Sequence, residues 1–246
     1  MKTINRQRFS GGFLTDSYES EPLLRQYLDF HFRGGEPEYL PHHPLPEGVL
    51  SYPERCAAKV IQHTTRSDRA LDLGCAVGGS AFALSRTFGE VVGIDFSHAF
   101  INAASELART GHFRCSEVAY SLSSDVRKSR VSFLQGDACT LPEELGTFDA
   151  ILMANLLCRL PEPAACLEGL KEHTTSGSIL VFMTPCSWDE AYTPREKWLW
   201  PTDEALHRHL DPWCDCLESS DMPFVLRDHE RRAQFTVAFC TVWKVR

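Results

Sequence analysis

The sequence lacks most of the marks that give a function away. No stretch of about 18 apolar residues is present to cross a bilayer, and the opening MKTINRQRFSGGF has no apolar heart of a secretory leader. A cytoplasmic protein is the expectation. A nucleic-acid reader needs a basic stripe. Here 25 Lys and Arg stand against 33 Asp and Glu, a net charge of -8, and Arg127, Lys128 and Arg130 make only a local patch. Neither nucleic acid nor membrane is an expected partner. There is no HExxH and no paired CxxC, and Cys214 and Cys216 stand too close together for the usual zinc pair, so no metal is expected. No Ser-His-Asp or Cys-His arrangement is legible, and no nucleophilic side chain is assigned. The 10 cysteines are scattered, with Cys56, Cys75, Cys139 and Cys158 in segments that read as core or loop, which points to reduced thiols.

What is present is ordinary in bulk and specific in one place. With 246 residues, 43% hydrophobic and 24% charged, the chain can bury a full core as one domain over 1–246. Its organising stretch is RALDLGCAVGGSAFALSRTFGEVVGIDF, from Arg69 to Phe96. A short apolar run carrying Asp72 is followed by a turn of small residues, Gly74 to Ser80. Then come a helical pattern (Phe82, Ala83, Leu84, Phe88) and a second apolar run that ends at Asp95. Strand, tight turn, helix, strand and terminal acid form the unit that binds an adenosine-bearing cofactor, with the acid about 20 residues on to meet ribose hydroxyls. A dinucleotide fingerprint wants G-x-G-x-x-G for a pyrophosphate. The glycines here fall as G-x-x-x-G-G, with Ala76 in the second place, and Asp72 beside the loop would repel a pyrophosphate but suit a cationic amino acid moiety.

The remaining chain alternates in the same way. Residues 1–66 read as a polar lead followed by two helices, one from Asp16 or Ser17 bearing Leu24, Tyr27, Leu28 and His31, the other from Tyr52 and Pro53. A Gly- and Pro-rich loop with His42 and His43 separates them. In the core, 67–185, Ser97 caps a helix that stops at Gly111, and His112 to Arg130 reads as a surface insertion with a short helix or strand of its own. Strands follow at Val131–Leu134, Phe148–Ala154 and Ile179–Met183, with a helix from Glu162 to His173. The alternation predicts a doubly wound, Rossmann-like α/β sheet. Ligands of such sheets sit beyond the carboxyl ends of the strands, where Asn155 should face the reacting groups. The last part, 186–246, opens with an aromatic segment (Trp188, Tyr192, Trp198, Trp200, with Arg195) that could wall a small planar substrate. It closes with strands at Phe224–Leu226 and Gln234–Trp243.

The loop with its two acids resembles motif I of the class I S-adenosyl-L-methionine (SAM) methyltransferases, which implies a seven-stranded sheet with an N-terminal helical cap. It implies SAM as cofactor and S-adenosyl-L-homocysteine (SAH) as product. The cofactor residues would be Asp72, Gly74, Cys75, Ala76, Gly78, Asp95 and Phe96, with Asp137 and Ala138 at the adenine and Asn155 beside it. In order along the chain, YESEPLLRQYLDFHF, SYPERCA, RALDLGCAVGGSAF, VVGIDFS, QGDAC, SWDEAYTPREKWL, MPFVLRD and TVAFCTVW resemble the methyltransferase domain at the C-terminus of ovothiol-synthesising enzymes. That resemblance implies methylation of an imidazole nitrogen of 4-mercaptohistidine, a small histidine-like acceptor. The thiolated histidine would come from an upstream sulfoxide synthase, whose domains do not occur in this sequence. Asn155 and Tyr192 would position the acceptor, Tyr18, Tyr27 and Trp188 would frame it, and Arg195 would hold its carboxylate. Another small molecule, a protein side chain, or SAM binding without turnover remain open at this point.

Overall fold

The computed structural model describes residues 18–42 and 45–246. The polar lead, the proposed caps Asp16 and Ser17, and His43 lie outside the described residues. Helix α1 (Glu21–Phe32) follows Ser20, with Pro22 in its first turn, and α2 (Tyr52–His63) opens with Pro53 where the missing N–H costs nothing.

Seven strands form the main sheet. They are β1 (Arg69–Leu73), β2 (Glu90–Asp95), β5 (Val131–Gln135), β6 (Phe148–Ala154), β7 (Thr174–Thr184), β8 (Cys214–His229) and β9 (Arg232–Val245). Their order is β5-β2-β1-β6-β7-β9-β8, parallel as far as β7, with β9 and β8 antiparallel. Order reverses between β1 and β6, so their carboxyl ends diverge into a crevice. Buried residues alternate along each central strand with the pleat's period of two. Ala70, Ala150, Leu152, Val181 and Met183 face one side and pack with α2, α3 (Gly79–Leu84) and α4 (His98–Thr110). Leu71, Leu73, Ile151, Met153, Leu180 and Phe182 face the other, against α5 (Pro163–Gly169) and α6 (Thr202–Leu210). Ser97 caps α4 by accepting from the Phe100 N–H at 3.1 Å, and Gly111 ends it at φ 86°.

Several elements refine the sequence pattern or depart from it. The insertion has strands of its own, as one of the two expected alternatives: an antiparallel hairpin, β3 (His112–Cys115) and β4 (Val118–Ser121), followed by a 3-10 turn. The helix expected from Glu162 to His173 is α5 plus a separate 3-10 turn, Leu170–His173. Strand β8 runs 16 residues, far beyond the Phe224–Leu226 expected, while β9, at 14 residues, contains the expected Gln234–Trp243 and extends it at both ends. Glu218 to Asp221 and a register shift at Cys216/Glu218 obscure the alternation of β8. Helix α6 lies in the segment expected to be an aromatic loop; Ala205, Leu206 and Leu210 bury it against the second core. All 10 cysteines are free thiols. Among the described residues no helix is long and apolar enough to cross a membrane.

Candidate functional site

A cavity of about 600 Å³ lies at the carboxyl ends of the parallel strands, within the range of small-molecule sites. Its floor is built from Asp72 and the loop after β1, Asp95 at the tip of β2, Gly136 to Ala138 after β5, and Ala154 and Asn155 ending β6. Tyr18 and α1 supply Tyr27, Phe30 and His31 to the wall, α2 adds Tyr52, Pro53 and Cys56, and the β8–β9 hairpin adds Phe224, Leu226, Gln234 and Thr236.

The glycine loop is held by the acid opposite it. Gly74 (φ 76°) takes a left-handed conformation, and a Cβ there would meet Leu156 at 2.9 Å, so glycine is required. Ala76 also has positive φ, 47°, a strained state for a residue with a Cβ. It is tethered by its N–H, which donates to Asp95 Oδ2 at 2.9 Å, while Asp95 Oδ1 accepts from the Ser97 N–H at 2.9 Å. Asp95 therefore clamps the loop to β2. Burial raises its pKa against the opposing effect of those N–H groups. Asp72 is 2% exposed, and its Oδ2 has no hydrogen-bond partner. Desolvation first, with nearby Asp95 adding to it, pushes its carboxyl up to about 7. A buried, unpartnered carboxylate oxygen in a cavity wall is a place for a cationic group.

The opposite wall is aromatic. Tyr192, Tyr18 and Tyr27 follow one another with ring centroids 6.2 Å apart, and Tyr27 stacks on His31 at 6.1 Å. His31 Nδ1 accepts from the Gly79 N–H at 3.0 Å, and burial drops its pKa to about 3. The ring is thus neutral with its proton on Nε2, a donor. Burial lifts Tyr27 to about 12 and Tyr18 higher still. Asn155 sits at φ 57° with its N–H on Met183 O, and its Oδ1 accepts from Tyr52 OH at 3.0 Å. Its oxygen is engaged by Tyr52, and its side-chain amide keeps N–H groups to donate.

Most residues singled out from the sequence meet here: Tyr18, Tyr27, Asp72, Gly74, Cys75, Ala76, Asp95, Phe96, Asp137, Ala138, Asn155 and Tyr192 all line the cavity. Three do not. Gly78 turns the chain into α3 at φ 88°, under Phe133 rather than at the cavity surface. Trp188 stacks with Trp198 at 6.4 Å, donates to Thr202 Oγ1 and packs on the second core. Arg195 is 77% exposed in its side chain and lies 3.8 Å from Glu190. The tryptophans pack the segment onto the sheet, and the arginine points to solvent. His31, Tyr52 and Arg159 line the cavity without having been marked as site residues by the sequence. Arg159 stands four residues after Asn155, in the exit loop of β6, and that position was the available signal.

Among known proteins, the methyltransferase domain family matches residues 71–182. An uncharacterized methyltransferase of Schizosaccharomyces pombe is 28% identical over 133 residues, 52% of this chain and 44% of that protein. Demethylmenaquinone methyltransferase of Lactococcus lactis is 32% identical over 101 residues, 40% of this chain and 34% of that one. The chain thus spans less than half the length of these relatives. The structure of magnesium protoporphyrin IX methyltransferase from Synechocystis PCC 6803 with bound SAM superimposes with a TM-score of 0.59, at 15% identity, over 99% of this chain and 100% of that one. The fold is that of the class I SAM-dependent methyltransferases, and the matched methyltransferase domain lies over the strands that build the floor of the cavity. The residues in the cavity fit SAM, because Asp72 offers an unsatisfied buried acceptor for an ammonium.

Proposed function

We propose that the protein transfers a methyl group from SAM to a ring nitrogen of a thiolated histidine. The observation that carries the transfer reading is the unpartnered Asp72 Oδ2 in the same cavity as an aromatic wall. The choice of acceptor rests on the resemblance to the ovothiol-type domain and on the size and aromatic lining of that cavity. Asp72 would hold the ammonium of SAM, Asp95 the ribose, Asp137 and Ala138 the adenine edge, and Phe96, 52% exposed, its face. Bound SAM supplies a methyl group on a sulfonium, which a nitrogen lone pair can displace.

The aromatic wall positions an acceptor; it is not equipped to take its proton. Tyr18 and Tyr27 stay protonated and His31 stays neutral with Nε2–H outward. Near neutral pH none of the three is a general base, so rate must come from alignment. Such a wall suits an acceptor whose lone pair is already free, as on a neutral imidazole nitrogen, with the proton lost afterwards to water. A sulfoxide synthase acting upstream would supply the thiolated histidine. Mass spectrometry with methyl-labelled SAM and a panel of imidazoles, amines, phenols and 4-mercaptohistidine tests the reading. Label on the imidazole of 4-mercaptohistidine is the expected result. Label only on another acceptor would sink the histidine assignment, and SAM binding with no label anywhere would sink methyl transfer.

A further inference from the structure

We infer that Arg159 recognises a carboxylate on the acceptor, so that the substrate class is ring-bearing amino or carboxylic acids rather than neutral amines. This role presupposes the methyl-transfer reading above. Arg159 ends the short helical turn after β6 and lines the cavity. A guanidinium has five N–H donors in a rigid fork. Both on Nη1 are spent on the carbonyls of Cys158 (3.0 Å) and Ser187 (2.6 Å), and one on Nη2 goes to Ser187 Oγ at 3.2 Å. The Nε–H and the second Nη2–H remain. They lie parallel on one edge, the edge that chelates a carboxylate. The guanidinium is fixed from the other side by the Tyr192 ring, 5.0 Å away. Among the described residues no acid forms an ion pair with it, whereas Arg195 has Glu190.

SAM also carries a carboxylate, but that group shares a carbon with its ammonium. Asp72, the acceptor for the ammonium, belongs to β1 and its glycine loop. There His31 offers its Nε2–H beside the loop, hydrogen-bonded through Nδ1 to Gly79. Arg159 sits on the β6 exit against Ser187 and Tyr192, on the side of the aromatic wall. A planar ring placed along Tyr192 and Tyr18 brings its acid substituent to the free edge of the guanidinium.

The test uses the SAH-loaded protein in calorimetric titrations with two matched pairs. One is 4-mercaptohistidine against its decarboxylated amine; the other is imidazole-4-acetate against 4-methylimidazole. Wild type should bind the acid of at least one pair tenfold or more tighter than its partner. Arg159→Met should abolish that preference and change SAH affinity less than twofold, Arg159→Lys should recover part of it, and Arg195→Ala should change neither. Equal affinity within both pairs, or no binding of any of the four, overturns the inference. So does a loss of SAH affinity in Arg159→Met as large as the loss for the acid, which would give the carboxylate site to the cofactor. Melting curves check that the variants fold, and Arg159→Lys keeps the test open if Arg159→Met does not. Labelled-methyl turnover is scored separately, so failed transfer with intact acid preference would reject the reaction and keep the anion site.

Discussion

Lowering the pH from 8 to 6 should weaken SAM binding about tenfold through Asp72 alone, beyond any titration of the ligand. The carboxyl is buried with Oδ2 unpartnered, and desolvation raises its pKa from 3.8 to about 7. At pH 8 about nine-tenths of the unliganded protein carries the carboxylate, and at pH 6 about one-tenth does. An ammonium needs the ionised form, so apparent affinity follows that fraction, a difference of about 1.4 kcal/mol. The sign for stability is the reverse. The folded state keeps this proton to a higher pH than the unfolded chain. The group's contribution is therefore fully favourable below the ordinary carboxyl value and is lost as pH rises through about 7. The loss is on the order of 4 kcal/mol at most, and a bound ammonium would offset it. Calorimetry in two buffers of different ionisation heat should register up to one proton released on binding near pH 6. Asp72→Asn should bind SAM weakly at every pH and release no such proton. Because both proteins meet the same ligand, its own amine cancels in the comparison. Identical pH profiles for the two, or no proton release by wild type, would refute the assignment of Asp72 to the ammonium.

Asp95→Ala removes the clamp on Ala76 and Ser97 as well as the proposed ribose acceptor, so it should lower both Tm and SAM affinity, the latter by roughly 1.5–3 kcal/mol. Asp95→Asn should keep most of the Tm and still bind weakly; unchanged affinity in that variant would remove the ribose role. Gly78→Ala places a Cβ 2.5 Å from Phe133 at φ 88° and should cost about 1–3 kcal/mol, seen as a Tm drop of about 2–4 °C for each kcal/mol. A wild-type Tm in that variant would mean the turn relaxes freely. With all 10 cysteines free, melting curves with and without reductant should coincide; a large drop on reduction would reveal disulfides.

The half of the cavity proposed for the cofactor is the part whose local structure is legible in the amino-acid sequence alone. Glycine at positive φ, apolar strands with period two and an acid at the tip of β2 all act within about 30 residues, where backbone sterics and burial leave few alternatives. Even there, the sequence does not reveal that Asp95 holds Ala76 in place, because that bond joins two loops across neighbouring strands. The half proposed for the acceptor depends on tertiary structure. Arg159 follows the end of β6 among aliphatic residues, whereas Arg195 lies among Trp188, Tyr192 and Trp198, so composition singles out the arginine that the fold leaves outside the cavity. Packing reverses the choice: Trp188 and Trp198 stack together and α6 buries its apolar face on the second core, which carries Arg195 out to solvent. Arg159 is turned inward because Cys158 and Ser187 engage three of its donors and Tyr192 covers its face. His31 reads as one more aromatic on the face of α1, and its tautomer is set by the Gly79 N–H, 48 residues away in sequence. Such contacts form only when the sheet brings distant loops to one edge, so a pattern read along the chain has no period in which to express them.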